Sequence, residues 1–458
     1  MSLLHHLASL RHARPNRTGR SVWPSTTVVD AAGRLCVGGV PLTEIADEVG
    51  TPCYVLDEAD FRSRIRRYQS SLPGVRVVYA GKALLTTTVA QWVVEEGLGL
   101  DVSSPGELAI ALAAGVDPAR IVLHGNVKTT DELLDATAAG VGRIVVDSLT
   151  ELSVLGCLLQ RPQKALLRVT PEIDIPGHRA VHTGVSDQKF GFTLNDGHFN
   201  EAVHRISQHQ LLTLVGLHCH LGSQLTDATL YGEAIRQLVP AMADIRAHHR
   251  MTLGELHIGG GHGMPYLPGD PELNLSALAA EINDALDESC ARERFPRPNI
   301  VIEPGRAMSA CAGVTVHRVV TLKSRPRGRT FVAVDGGMSD NPRVALYDAK
   351  YTVALANRQS PGPMKPVTIV GRHCEAGAEL AREVLLPADI RSGDVLAFAC
   401  TGAYHHGFAS TSNALDRPPL VAVHDGRFRE TGAAKLCGFA RSRAANGAPI
   451  ERHAPPVA

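Results

Sequence analysis

The sequence lacks an excess of charge, has few aromatic residues and contains no long apolar run. Lys plus Arg number 46 and Asp plus Glu number 46, so the formal net charge at pH 7 is zero. Such a balance gives no electrostatic footprint for nucleic acid or for an anionic membrane surface. No stretch approaches the roughly 20 apolar residues of a membrane helix. Nucleic-acid partners and membrane insertion are therefore excluded as first hypotheses.

Cysteine occurs without a disulfide or metal pattern. The nine cysteines are scattered, their number is odd and no Cys-x-x-Cys pair occurs. Disulfide scaffolds and structural zinc modules use even sets at short spacings. The pattern predicts free thiols in a reducing, cytoplasmic compartment. The remaining composition, rich in Gly, Ala, Val and Leu, is typical of a globular α/β enzyme.

A regular alternation of strands and helices occupies the middle of the chain. Eight apolar, β-branched runs alternate with helix-like segments over about 250 residues, which predicts a (β/α)₈ TIM barrel. A doubly wound sheet is the alternative. A barrel requires functional groups to gather at the carboxyl ends of its strands, and polar residues or glycines follow or end all eight runs. The predicted strands are Val75–Tyr79, Leu98–Val102, Ile121–His124, Arg143–Val146, Ala165–Val169, Leu214–His218, Glu255–Ile258 and Asn299–Ile302.

After about residue 310 short strands and turns replace this alternation, which predicts a C-terminal β-rich domain of sandwich-like or barrel-like form. Strands near the N-terminus are expected to join it. The predicted parts are a mobile extension at 1–20, strands joining the β domain at 21–56, the barrel at 57–310, the β domain at 311–435 and a mobile tail at 436–458.

The strand ends offer the groups that a phosphate-bearing cofactor needs. Lys82 follows the first strand, where partial desolvation can lower the pKa of an amine and make it nucleophilic, although a solvated loop lysine is the commoner alternative. Gly259-Gly260-Gly261 follows the seventh strand, and consecutive glycines let backbone N–H groups approach a phosphate. Glu303 and Arg306 follow the eighth. With a stacking imidazole, these groups describe a site for pyridoxal phosphate.

His218 and His220 lie two residues apart after the sixth strand, which could also suggest a metal. No third ligand keeps the spacing of a zinc site. We therefore predict no metal and assign an imidazole to stacking on a flat ligand ring.

Several motifs are shared with one known family. They are Tyr79-Ala80-Gly81-Lys82-Ala83, His218 to Gln224, Gly259-Gly260-Gly261, Glu303-Pro304-Gly305-Arg306, Asp335 to Asn341, Arg343 to Tyr347, Cys374-Glu375 and Gly402-Ala403-Tyr404. On these motifs the chain, from about residue 50 to 425, resembles the fold-type III pyridoxal-phosphate decarboxylases. Within them it is most similar to the diaminopimelate decarboxylases of the actinobacterial kind.

The resemblance implies a role for each matched residue. Lys82 is expected to bind pyridoxal phosphate covalently, and Cys374 to donate a proton to the substrate Cα; these are the expected catalytic residues. The resemblance also implies a homodimer in which the Cys374-Glu375 loop completes the partner's active site. The expected cofactor-binding residues are Lys82, Asp101, Arg168, His220, Ser223, Gly260, Gly261, Glu303, Gly305, Arg306 and Tyr404, and those for a small amino-acid substrate are Arg306, Arg343, Tyr347, Glu375 and Tyr404.

The implied reaction is decarboxylation of meso-diaminopimelate to L-lysine and CO₂. Ala376 and Ala378 stand where the family usually has Ser and Asp, and Ser412 lies in a segment that differs from the family pattern. Losing a polar partner to a distal charged group costs about 1–3 kcal/mol, enough to change specificity. The alternatives are a paralogue acting on another diamino acid or specialised-metabolite precursor, an amino-acid racemase and a non-catalytic cofactor-binding protein.

Overall fold

The computed structural model describes residues 22–173, 188–326 and 328–431, and the described chain begins with a small antiparallel sheet. Leu35 connects this sheet to the C-terminal half by donating its N–H to the carbonyl of Ala356, at 2.8 Å. The first elements are β1 (Val28–Val29), β2 (Leu35–Val37), β3 (Val40–Pro41), α1 (Leu42–Glu48), β4 (Cys53–Asp57) and α2 (Glu58–Ser71).

A closed parallel barrel of eight strands follows, which confirms the predicted fold class. Each strand pairs in parallel with the next, and the last pairs with the first through Val301 with Arg76 and Ile302 with Val77, which closes the ring. The elements are β5 (Arg76–Ala80), α3 (Thr87–Glu95), β6 (Gly99–Val102), α4 (Pro105–Ala113), β7 (Ile121–Leu123), α5 (Thr130–Ala139), β8 (Arg143–Val146), α6 (Leu149–Leu158), β9 (Gln163–Thr170), β10 (Phe192–Thr193), α7 (Gly197–Gln208), β11 (Leu212–His218), α8 (Thr229–His249), β12 (Glu255–His257), α9 (Leu275–Arg292), β13 (Asn299–Ile302) and α10 (Arg306–Ser309).

Local sequence signals set where the barrel helices begin. The side chain of Ser104 accepts the N–H of Glu107, and Pro105 takes the first helical position of α4, where its missing N–H costs nothing. Thr129 and Glu132 form a reciprocal capping box at the start of α5. Because these caps start each helix a few residues after the preceding strand, the connecting loops are short. The side chains that follow the strands therefore stay at one end of the barrel.

The barrel interior is layered because side chains alternate between its inside and its outside along each strand. Arg143 on β8 and Glu255 on β12 form an ion pair between strands that are not neighbours, at the amino ends of the strands. His218 and Glu303 lie at the carboxyl ends. Between these two polar layers lies a buried apolar layer of Val78, Val122, Val145, Leu166 and Val301.

The C-terminal half is rich in β-structure, as predicted. Its long strand β14 pairs antiparallel with β4, so the N-terminal segment becomes part of this half. Its elements are β14 (Gly313–Ser324), β15 (Thr330–Val334), α11 (Arg343–Tyr347), β16 (Val353–Leu355), β17 (Met364–Val370), β18 (Glu379–Pro387), β19 (Val395–Phe398), β20 (Leu420–His424) and β21 (Arg427–Glu430).

Two predicted segments, the extension at 1–20 and the tail at 436–458, lie outside the described residues. Within the described ranges, none of the helices has the length and apolar character that a bilayer crossing requires.

Two valines of β14 provide a test of this packing. Val316 is fully buried, whereas Val320 is 53% exposed. We expect Val316→Ala to lower the free energy of unfolding by about 2 kcal/mol, because two buried methyl groups and their contacts are lost. Val320→Ala should change it by less than about 0.5 kcal/mol. Urea unfolding followed by circular dichroism measures both, and equal effects would contradict the assigned orientation of β14.

Candidate active site

A cavity of about 810 Å³ opens at the carboxyl ends of the barrel strands, where the barrel meets the β-rich half. Its wall combines residues that follow barrel strands with residues from α11 and from the loop after β19. Of the residues predicted from the sequence, it brings together Lys82, His220, Ser223, Gly261, Glu303, Gly305, Arg306, Arg343, Tyr347 and Tyr404.

Lys82 stands in a short 3₁₀ turn, Gly81–Ala83, directly after β5. The carbonyl of Ala83 accepts the N–H of Tyr404 at 2.8 Å, which fastens the turn to the β-rich half. The lysine side chain is exposed and reaches a second cavity of about 540 Å³ as well. The partial desolvation expected for this amine stays a prediction.

Glu303 is 5% exposed, and three imidazoles face its carboxylate. Nε2 of His218 lies 3.0 Å from Oε2, while Nδ1 of His257 and Nε2 of His124 lie 3.1 and 3.4 Å from Oε1. Burial opposes a charge on Glu303, but His218 and His124 hold the pKa of this carboxyl well below its usual range. Glu303 is consequently a buried carboxylate at neutral pH.

His124, His218 and Glu303 also place one nitrogen or oxygen atom each within 4.8 Å of one another. Burial lowers the pKa of His218 to about 3, so its ring is neutral. A neutral His218 satisfies Glu303 by donating from Nε2 over 3.0 Å. We interpret the group as a hydrogen-bonded cluster around Glu303 and not as a metal centre.

Three predicted cofactor-binding residues support the cavity wall without lining it. Oδ1 of Asp101 lies 3.6 Å from Nε2 of His124, and burial raises the pKa of Asp101 to about 6. The guanidinium of Arg168 lies 4.2 Å from the ring centre of Phe190, which does line the cavity. A Cβ on Gly260 would lie 2.1 Å from the carbonyl oxygen of Glu303, so glycine is required for this close approach.

One side of the cavity is built for an anion. Nη2 of Arg306 donates to Oγ of Ser223 at 3.0 Å, and Nη1 donates to the hydroxyl of Tyr266 at 2.6 Å. Gly261 has a φ of +81°, and a Cβ there would lie 1.9 Å from the carbonyl oxygen of Gly222. A guanidinium, a hydroxyl and close backbone thus converge, which is the chemistry that binds a phosphate.

His220 presents a neutral ring to the cavity. Its Nδ1 accepts the N–H of Gly260 at 3.2 Å. Burial, and then the charge of Lys82, hold the pKa of His220 well below its usual value. An uncharged imidazole held in this way suits stacking against a flat ring.

An aromatic cluster orients the second arginine of the cavity. Nε of Arg343 donates to the hydroxyl of Tyr351 at 3.0 Å, and its guanidinium lies 5.4 Å from the ring centre of Tyr347 and 5.7 Å from that of Tyr404. Sequence reasoning missed Tyr351 and Tyr266. The signal for Tyr266 was a tyrosine only five residues beyond the glycine run.

Cys374 and Glu375 are exposed in the loop between β17 and β18, and neither lines the two cavities. The preceding His373 anchors this loop, with Nδ1 2.7 Å from Oδ1 of Asn413 and Nε2 2.9 Å from Oγ of Ser339. A single copy of the chain therefore does not bring Cys374 to Lys82.

The residues that depart from the family pattern also lie away from these cavities. Ala376 and Ser412 are exposed, and Ala378 is buried beneath the β17–β18 loop. None of the three lines either cavity within one copy of the chain.

The wall fits pyridoxal phosphate in the chemistry of its groups. Lys82 offers an amine for the aldehyde, Glu303 offers an ionised acceptor for the ring nitrogen, and Arg306 with Ser223 offers donors for the phosphate. Gly261 contributes to the same wall, next to Arg306 and Ser223.

Comparisons with known proteins agree with this fit. Residues 58–310 match the family described as pyridoxal-dependent decarboxylase, pyridoxal binding domain. A diaminopimelate decarboxylase of Actinosynnema pretiosum subsp. auranticum is 52% identical, covering 88% of this chain and 91% of the relative. That of Mycobacterium tuberculosis is 41% identical over 92% of this chain and 96% of its own. The crystal structure of diaminopimelate decarboxylase from m. jannaschii in co-complex with L-lysine has a TM-score of 0.83 at 27% identity, covering 93% of this chain and 98% of that one.

A substitution tests whether the backbone conformation at Gly261 requires glycine. Gly261→Ala should lower the free energy of unfolding by at least about 1–2 kcal/mol, because alanine disfavours a positive φ and its Cβ would meet a carbonyl oxygen. Gly197→Ala is the control, since Gly197 has open space around it at the start of α7. Thermal unfolding of both variants should show a loss for Gly261→Ala alone, and an equal response would contradict the assigned geometry.

Proposed function

The chain belongs to the diaminopimelate decarboxylase family of pyridoxal-dependent decarboxylases, and from this premise we propose that it converts meso-diaminopimelate to L-lysine and CO₂ with pyridoxal phosphate as cofactor. The observation that carries the proposal is one cavity lined by Lys82, Glu303 and the Arg306–Ser223 pair. The high identity to a curated diaminopimelate decarboxylase gives the substrate.

The residues of the chain divide the work of holding the cofactor. Lys82 binds it covalently, Glu303 pairs with the ring nitrogen and His220 stacks on the ring face. Arg306, Ser223 and Gly261 hold the phosphate. When bound, pyridoxal phosphate supplies an aromatic ring that accepts the electrons of the bond to the departing carboxylate.

The two arginines match the charge of the substrate, which carries an amino-acid group at each end. Arg306 is engaged by Ser223 and Tyr266, and Arg343 by Tyr351. Held in this way, the guanidinium groups present fixed donors to a carboxylate. Tyr347 and Tyr404 line the wall beside them.

Cys374 returns a proton from its Sγ to the substrate Cα, and Glu375 contacts the substrate. Because both are exposed on the β17–β18 loop, we infer a homodimer in which this loop enters the partner's cavity. The outward-facing loop, anchored by His373, supports this assignment.

We also infer a cytoplasmic location and a division into a barrel at 57–310 and a β domain at 311–435. The eight described cysteines are all free thiols, which supports a reducing compartment. The family match at 58–310 supports the boundaries of the barrel.

A panel of diamino acids scored for CO₂ release tests the substrate. We expect meso-diaminopimelate to give the highest kcat/KM and L-lysine as product. If meso-diaminopimelate is not turned over but another diamino acid is, the enzyme is a paralogue with a different substrate, the alternative suggested by Ala376 and Ala378. Racemisation without CO₂ release would establish a racemase.

Lys82→Ala tests the cofactor attachment. The wild-type protein should be yellow when loaded with pyridoxal phosphate, whereas the variant should lose this absorbance and release no CO₂, because the amine that binds the aldehyde is lost with the side chain. Lys164→Ala, an exposed lysine of β9, is the control and should behave as the wild type. A wild-type protein that takes up no pyridoxal phosphate would overturn the proposed function.

Cys374→Ala separates proton return from cofactor binding. The variant should keep the yellow absorbance while kcat falls by about 10²–10⁴-fold, the usual contribution of a positioned acid. Cys157→Ala, another exposed thiol, is the control and should retain full activity. Full activity of Cys374→Ala would remove the thiol from the mechanism.

A further inference from the structure

We propose that His257 is a protonated bridge inside the barrel, a positioning residue that keeps Glu303 ionised and links it to the Glu255–Arg143 pair at the opposite end of the strands. The proposal deepens the cofactor site and rests on the proposed function only for the role of Glu303. The bridge itself is a property of the protein without cofactor.

The hydrogen-bond geometry requires two protons on this ring. Nδ1 of His257 lies 3.1 Å from Oε1 of Glu303, and Nε2 lies 3.3 Å from Oε2 of Glu255. An ionised carboxylate only accepts hydrogen bonds, whereas a neutral imidazole has a single N–H to donate. With carboxylates at both ends, only the imidazolium satisfies both contacts.

Glu255 is itself fixed by a buried cation. Nε of Arg143 donates to Oε2 of Glu255 at 2.6 Å, and its Nη2 contacts Oε1. Arg143 is 8% exposed. Despite burial, hydrogen bonds with His257 and Arg143 lower the pKa of Glu255 to about 2. The charges therefore alternate from Arg143 through Glu255 and His257 to Glu303.

The series of charged groups from Arg143 to Glu303 crosses an apolar layer. Without His257, this layer would separate Glu303 from the Glu255–Arg143 pair. Valine and leucine side chains fill the barrel between its two polar ends. His257 is 1% exposed and spans this layer. Burial alone lowers the pKa of an imidazole, but the hydrogen bonds with Glu255 and Glu303 raise the pKa of His257 above its ordinary value. The two anionic partners thus stabilise a positive charge on buried His257, whereas an imidazolium without partners would not be stable in the barrel interior.

The neighbouring groups keep this distribution of charge. His218, whose ring centre lies 6.2 Å from that of His257, is neutral. The other charged or titratable groups around this series are Arg76 near Glu255, His124, Asp101, Arg168, Cys219 and His220 near Glu303, and Lys82 near Asp101. His124 also lies between two carboxylates, but it faces both Asp101 and Glu303 with the single atom Nε2, at 3.6 and 3.4 Å. His257 differs because it contacts its two carboxylates through two different ring nitrogens.

The pH dependence of stability distinguishes this bridge from a histidine that only fills space. A raised folded pKa means that the stabilisation by protonated His257 is complete below the unfolded pKa of about 6.5 and is lost as the pH rises through the folded value. Without cofactor, His257→Gln should therefore show its largest deficit in melting temperature near pH 5.5. By pH 9 the deficit should shrink by roughly 2 °C or more.

His317→Gln is the matched control because His317 is equally buried and lies outside the site. Burial lowers the pKa of His317, so it is neutral when folded and its variant should show no deficit that shrinks as the pH rises. A deficit of His257→Gln that is constant, or that grows with pH, would overturn the bridge.

Two further measurements distinguish a failure of the bridge from a failure of the proposed decarboxylation. If His257→Gln does not fold, Glu255→Gln is measured in the same way, and its deficit should also shrink as His257 loses its proton. In protein loaded with pyridoxal phosphate, any pH-dependent change in visible absorbance should occur at a lower pH in Glu255→Gln than in the wild type, because His257 loses one of its two anionic partners. The same profile in both proteins would overturn the bridge. A failure of the melting profiles refutes the bridge and leaves decarboxylation untouched.

Discussion

The buried carboxylate of Glu303 is the constraint on which the rest of the site depends. A lone carboxylate in an apolar interior neutralises itself by taking up a proton, because the cost of burying its charge is several kcal/mol. Here His218 and His257 hydrogen-bond to it, and His124 lies 3.4 Å from it. The site therefore holds a fixed negative charge before any ligand arrives, and no reorganisation is needed to supply it.

Closure of the barrel is what makes this arrangement possible, and it also explains why much of the site could be predicted. In a parallel barrel every strand points its carboxyl end at the same mouth, so residues that follow strands converge whatever their distance in sequence. Each predicted barrel strand overlaps an observed one. The convergence of Lys82, Ser223, Glu303 and Arg306 on one cavity needed no further information than the order of strands.

Contacts across the barrel interior could not be predicted in the same way. Alternation shows that Arg143, Glu255 and His257 face inwards, but which inward residues meet depends on the tilt and stagger of non-neighbouring strands. Loop conformation is a second limit. Tyr266 reaches Arg306 only because of the path that the chain takes after the glycine run, and His373 meets Ser339 and Asn413 across 34 and 40 residues of sequence.

The two ends of the site differ in how far the protein encloses them. The enclosed end holds the groups for the cofactor, and the open end faces the substrate. The end that holds Glu303 is enclosed by strands, and His218 and His257 hydrogen-bond to Glu303 there, so a substitution at this end disturbs a buried charge network. The end near Lys82 is open to two cavities, and the residues that depart from the family pattern lie on outward-facing loops. In the proposed dimer those loops meet the partner's substrate. Substrate choice can therefore change at Ala376 and Ser412 while the groups that hold the cofactor stay as they are, because no described contact couples the exposed loop residues to the interior of the barrel.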